Sequence, residues 1–214
     1  MSSQPASKSP RGATRTPQQA RSRRTRQALV EAATSAFEER GYDETTTAEI
    51  ARRAGVSVGS VYGYFPDKRA ILLEIVHETV EQMSDRIVAE LDPARWQGSD
   101  LRASVRALID TVFKTRLLRP GLQRILWERF FKDPEVRATV EAIETRGRAA
   151  IEALLTHLNA SGRARVVDPA TAAFVIHTSV EWTGARLMLG GAPDAQVDAA
   201  VDAMSEMISR LILD

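Results

Sequence analysis

Three observations predict an all-α chain of about nine helices. Val, Ile and Leu recur at three- and four-residue spacing, and no stretch sustains the two-residue alternation of a half-buried strand. Glycine and proline cut these stripes at intervals of helical length. Several cuts carry cap-and-start signatures, of which Asp133-Pro134 and Asp168-Pro169 are the clearest.

Residues 1–20, rich in Ser, Pro, Gln, Thr and Arg, hold too little apolar area to order themselves and are expected to form a disordered basic arm. The first helix is expected from Ser22 to Arg40, with Ala28, Leu29, Ala32, Ala33, Ala36 and Phe37 inward and Gly41 as its stop. Thr46 followed by Glu49 is a capping box and opens a second helix that ends at Gly55. Ser57 caps a third helix ending near Phe65. Pro66 forces a new start, and a long helix follows from Asp67 to Leu91, ended by Asp92-Pro93. Its inward stripe includes Ile71, Leu72, Ile75, Val76, Val80, Met83 and Ile87. A helix from Ser99 to Arg119 stops at Pro120-Gly121, and a short aromatic helix spans Leu122–Phe131. Asp133-Pro134 starts a helix to Asn159, Asp168-Pro169 one to Leu189, and Pro193 one to Leu213.

Composition narrows the functional classes. The 214 residues are 43% hydrophobic and 27% charged, ordinary for a globular chain. Without cysteine there are no disulfides, thiolate nucleophiles or Cys-based zinc sites. No apolar run reaches the ~18 residues of a membrane span, so a cytoplasmic protein is expected. His77-Glu78 begins a zincin-like pattern but lacks the second histidine, no phosphate-cradling glycine motif occurs, and the three histidines are scattered. No enzyme activity, metal or cofactor is expected. Net charge is +1, yet residues 1–30 carry seven cations and no Asp or Glu, which leaves the remainder at −6. A basic arm on an acidic body either meets a polyanion or merely solubilises.

Gly55-Val56-Ser57 joins two short helices, which is the helix-turn-helix plan. The second such helix can enter the DNA major groove. Spacing places Val58, Val61 and Phe65 inward on the third helix. Gly59, Ser60, Tyr62 and Gly63 then face outward, with Tyr64 at the edge. Each helical glycine costs roughly 1 kcal/mol against alanine. The cost is offset if DNA backbone must come close, and tyrosine hydroxyls can donate to phosphates.

These residues carry a resemblance. Phe37, Gly41-Tyr42, Thr45-Thr46 before Glu49-Ile50-Ala51, Ala54-Gly55-Val56-Ser57, Val61-Tyr62, Tyr64-Phe65, Asp67-Lys68 and Leu72-Leu73 together resemble the DNA-binding domain of TetR-type transcriptional regulators. The resemblance implies an all-α homodimer with a DNA-binding unit over residues 21–68 and a ligand-binding and dimerisation unit over 69–214. It implies a small-molecule effector that moves the fourth helix and releases a palindromic operator. Carried over by position, the DNA contacts are Thr47, Ser57, Gly59, Ser60, Tyr62, Tyr64 and Lys68. Gly63 departs from the polar or basic residue common there, and Arg21, Arg23 and Arg24 are read as compensating from the arm.

The rest of the chain is less specific. Phe113, Trp127, Phe130, Phe131 and Trp182 are either core or the apolar part of an effector site, with Arg116, Arg146, His177 and Glu181 as candidate polar groups. Val175, Ile176, Ser179, Val180, Thr183 and Leu187 form one stripe, and Val197, Ala200, Val201, Met204, Ile208 and Leu211 another. Two such helices from each of two subunits make a four-helix dimer bundle, unless both stripes bury within one subunit. A ligand-responsive repressor is the expected function. The alternatives are a nonspecific or architectural DNA binder and an interaction module with a vestigial helix-turn-helix.

Overall fold

The computed structural model describes residues 17–117 and 120–213, leaving aside the side chains of residues 17, 18, 79, 80, 83, 116 and 117. Most of the expected arm, and the side chains of Val80, Met83 and Arg116, therefore lie outside the described residues. Among them are ten helices and no strand: α1 (Pro17–Arg40), α2 (Thr47–Ala54), α3 (Val58–Tyr64), α4 (Lys68–Glu90), α5 (Pro93–Trp96), α6 (Leu101–Leu117), α7 (Pro120–Lys132), α8 (Pro134–Ala160), α9 (Pro169–Leu189) and α10 (Asp194–Leu213).

The caps act where the sequence puts them. Thr46, Ser57, Asp67, Asp133 and Asp168 each accept a backbone N–H from the first turn of the helix that follows. Gly55 takes φ 67°, the left-handed turn that an L side chain resists. Two expectations change. Asp92-Pro93, expected to end α4, also starts a helix: Asp92 accepts from Ala94 N at 3.0 Å and opens the four-residue α5. Residues 17–20, assigned to the arm, are helical, so α1 projects Arg21, Arg23 and Arg24 from its second turn.

The buried side chains form two clusters. One joins Leu29, Phe37, Ile50, Val61, Phe65 and the first half of α4 to Leu122, Ile125 and Val136, so α7 and the start of α8 belong to the core of the N-terminal head. The other fills the space between α6, α8, α9 and α10. α10 packs chiefly on α6, and α8 packs on both α4 and α9.

The expected dimer stripe on α10 is corrected by this packing. Val197, Val201, Met204 and Ile208 are buried in their own subunit with Val105, Ile109 and Val112 of α6. A stripe shows that a helix has an apolar face, not which neighbour covers it. On α9, Ile176, Val180 and Leu187 likewise turn inward. Of the expected stripes Val175 and Leu211 stay exposed, and they lie on an open face with Phe174, Trp182 and Leu189 of α9 and Met207 of α10.

Candidate nucleic-acid interface and effector cavity

Thr46 and Ser57 start α2 and α3, Gly55 turns the chain between them, and Ile50, Ala51, Val61 and Phe65 anchor both helices on α1 and α4. What α3 leaves outside is short of side chain. A Cβ on Gly63 would meet nothing within 4 Å, and one on Gly59 only Ser57 Oγ at 3.9 Å. Tyr62 is 54% exposed, and its hydroxyl lies 3.2 Å from Thr47 Oγ1, so two hydroxyls from two helices stand together. Ser57 accepts from Ser60 N at 3.1 Å, and their hydroxyls are 2.8 Å apart. Tyr64 is half-buried against the head core. Val58, expected inward, is 41% exposed, because only Val61 and Phe65 reach the core from so short a helix. Arg21, Arg23 and Arg24 are exposed on α1.

Lys68 is occupied differently from the phosphate contact expected of it. Its Nζ donates to the carbonyls of Tyr42, Asp43 and Thr45 at 2.9, 3.0 and 2.9 Å. An ammonium has three protons, and all three are used. Lys68 thus holds the loop that leads into α2. The Arg129 guanidinium lies 4.3 Å from the Tyr42 ring centre and donates to Asp43 Oδ2 at 2.7 Å. Lys68 Nζ also lies 4.6 Å from the centre of the Tyr42 ring, and burial raises the Tyr42 phenol pKa.

Two further ion-pair groups brace the head. Glu49 accepts from Arg52 Nη2 at 2.8 Å and Arg53 Nε at 2.6 Å, and Arg53 reaches Glu39 of α1 at 2.7 Å. Arg69, at the start of α4, makes a bidentate pair with Asp133 at 2.6 and 2.7 Å across 64 residues of sequence. Asp133 also caps α8, so one carboxylate ties the start of α4 to the start of α8. Arg52 first and then Arg53 hold Glu49 at a pKa of about 2, and Arg69, followed by the backbone N–H groups of Glu135 and Val136, holds Asp133 at about 2. Folded values below the ordinary ones mean that both carboxylates stabilise the fold above pH ~4.5 and lose that contribution as pH falls towards ~2. Denaturant melts at pH 7, 4 and 3 are expected to show this loss. Asp133→Asn, which keeps the capping oxygen, is expected to flatten the slope; an unchanged slope would remove Asp133 from the explanation.

A cavity of about 200 Å³ lies in the C-terminal half, walled by α4, α5, α6, α7, α8, α9 and α10. Its wall is mainly aliphatic, with Trp96, Trp127 and Phe130 as aromatic members. Gln123, Glu144, His177 and Glu181 are its main polar members. Four of the expected ligand residues therefore meet here: Trp127, Phe130, His177 and Glu181. The other described ones do not line it. Phe113 is 1% exposed in the core beside it. Arg146 pairs with Asp85 at 2.9 Å on the surface. Phe131 and Trp182 each follow a lining residue by one position, about 100° round the helix, and both are exposed. Trp182 nonetheless packs against Trp127, 4.9 Å between ring centres.

Residues 29–75 match the profile of bacterial regulatory proteins of the tetR family, and residues 100–211 match the tetracyclin repressor-like C-terminal domain. This chain belongs to the TetR family.

The HTH-type transcriptional regulator BetI of Cronobacter sakazakii is 35% identical over 77 residues, which are 36% of this chain and 38% of that protein. The match thus spans less than two fifths of the curated relative. Solved structures extend the likeness in fold. A TetR-family transcriptional regulator from Mesorhizobium loti has a TM-score of 0.78 at 24% identity, covering 91% of this chain and 99% of its own. The regulator FadR from Bacillus subtilis, solved in complex with stearoyl-CoA, has a TM-score of 0.70 at 20% identity, covering 87% and 98%.

Within the TetR fold, several site members escaped the sequence reading. Gln123 joins the expected Trp127 and Phe130 on one face of α7 at helical spacing, but nothing in the sequence set it apart. Glu144 and Gly147 share one face of α8, where a mid-helix glycine was the available signal. Arg129 gave no sequence signal, because its partners Asp43 and Tyr42 lie more than 80 positions away. Among the described residues no helix is long and apolar enough to cross a membrane, and no group of three His, Cys, Asp or Glu could hold a metal.

Proposed function

We propose that this chain is a ligand-responsive transcriptional repressor that acts in the cytoplasm, binding a palindromic operator as a homodimer and releasing it when a small apolar molecule enters the cavity. One observation carries this reading. α3 presents a nearly bare, hydroxyl-tipped surface on the head, and a separate apolar cavity shares α7 with that head. Residues 21–68 form the DNA-binding unit and 69–214 the effector and dimer unit, with α4 running through both. Thr47, Ser57, Ser60, Tyr62 and Tyr64 supply hydroxyls to phosphate or base edges, Gly59 and Gly63 allow the approach, and Arg21, Arg23 and Arg24 extend the contact along the backbone. Lys68 supports the loop into α2 instead of touching phosphate.

α7 supplies a physical route between the sites. Gln123, Trp127 and Phe130 line the cavity, while Leu122, Ile125 and Arg129 of the same helix pack into the head. At Gly121 an added Cβ would lie 3.2 Å from the Glu38 backbone, so α7 rests directly on α1. A ligand shifts the DNA equilibrium only by its preference for one arrangement of these elements.

Competition binding between the DNA upstream of the gene and random DNA at moderate salt tests the function. Preference for the upstream DNA, lost when a cavity ligand is added, is the expected result. Equal binding to both would favour a nonspecific binder, and no binding at low salt an interaction module. Tyr62→Phe is expected to weaken operator binding by about tenfold, the loss of one hydrogen bond to a charged group, with an unchanged melting temperature. Unaltered affinity would remove that hydroxyl from the interface.

A further inference from the structure

The geometry points to a single-chain amphiphile as the occupant of the cavity, bound tail first with its head level with Glu144 and Gly147. Resting on the assignment of this cavity as the effector site, the inference adds the shape, polarity and orientation of the effector.

The lining is long. On α8 it runs from Val140 to Leu158, which at ~1.5 Å per residue is a path of roughly 27 Å. Its polar members gather in one band of the wall, preceded on α8 by Val140 and Ile143 and followed by a longer apolar stretch. Gly147 faces His177, whose Nε2 would lie 3.5 Å from an added Cβ. Glu181 follows His177 by one turn of α9, Glu144 precedes Gly147 by one turn of α8, and Gln123 joins them from α7. Beyond Gly147, α8 supplies only Ile151, Leu154, Leu155 and Leu158, faced by Val105 and Ile208.

Trp96 lines the wall at that apolar end. It is buried, its Nε1 donates to Glu90 O at 2.8 Å, and the Arg163 guanidinium donates to the carbonyls of Trp96 and Ser99. The indole is thereby satisfied and offers the cavity only its apolar face. A polar head placed among these side chains would lose its hydrogen bonds, whereas an alkyl tail loses nothing. The orientation follows from this difference. A methyl on Gly147 would meet His177 at ordinary contact distance and take up cavity space without disturbing the helix.

The test uses the full chain without DNA, so failure here leaves the operator reading standing. Alkyltrimethylammonium salts, alkyl sulfates and alkyl dimethylamine oxides, octyl to hexadecyl and below their critical micelle concentrations, are titrated by calorimetry with intrinsic tryptophan fluorescence, to which Trp96 and Trp127 of the cavity wall contribute, as a second readout. In at least one head-group series, affinity is expected to rise about fourfold per added methylene and then level off. Ile151→Trp should bring the plateau several methylenes earlier. Gly147→Ala, which should fold at least as well as the parent, is expected to weaken every member of the series without moving the plateau. Affinity that ignores chain length, a plateau unmoved in folded Ile151→Trp, or equal affinity for a fused-ring amine of the same carbon count would overturn the inference. If Ile151→Trp fails to fold, the chain-length series and Gly147→Ala decide: no rise with length, or no weakening at Gly147, overturns it.

Discussion

Gly59→Ala combined with Gly63→Ala is expected to make the free protein more stable and its grip on operator DNA weaker. The two effects have opposite signs, and that opposition identifies the purpose of the glycines. An alanine at an exposed helical position gains roughly 1 kcal/mol over glycine. Neither site offers a clash to cancel the gain, since Gly63 has open space around it and Gly59 only a distant serine hydroxyl. A chain of this size gains about 2–4 °C in melting temperature per kcal/mol, so the double variant should melt roughly 4–8 °C higher. Operator affinity should fall tenfold to a hundredfold, because two methyl groups would hold the backbone off the phosphates and a hydrogen bond to a charged group contributes about 1.5–3 kcal/mol. Gly121 supplies the contrast. There a Cβ would press on the Glu38 backbone at 3.2 Å, so Gly121→Ala should destabilise. A double variant that binds operator as tightly as the parent would show that α3 does not approach DNA by its glycine face.

Phe174→Arg with Leu211→Arg is expected to abolish tight operator binding while leaving each subunit folded. Both side chains are open to solvent in the single chain, at 55% and 44% exposure, so charging them disturbs no core within the subunit. A guanidinium facing its own symmetry copy across a closed apolar interface would lose its water without gaining a partner. Sedimentation should report a monomer with unchanged helical content. Linking two half-site contacts gains about 10²–10⁴ in avidity, and that factor should vanish with the dimer. A persistent dimer would place the interface elsewhere than on the outer face of α9 and α10.

Acid sensitivity and dimer state are independent of each other. Glu49 and Asp133 lie in the head and at its junction with α8, and their ion pairs are internal to one chain. Weakening them should loosen the head before it separates the subunits.

The helices and the helix-turn-helix were legible in the sequence because the forces that set them act within one or two turns. A Thr or Asp hydroxyl or carboxylate reaches only the next few N–H groups, and Gly55 turns the chain by its own φ. The exposed glycine and tyrosine face of α3 followed from the same short periodicity. Tertiary packing decided the rest. It turned the Val197–Ile208 stripe of α10 onto α6, engaged the three protons of Lys68 with carbonyls more than 20 positions back, and set Arg129 against Tyr42. It also formed the apolar cavity that Gly147 and His177 line. A periodic pattern states that a face is apolar, but its neighbour lies on another helix dozens of residues away, and only the folded chain brings the two together.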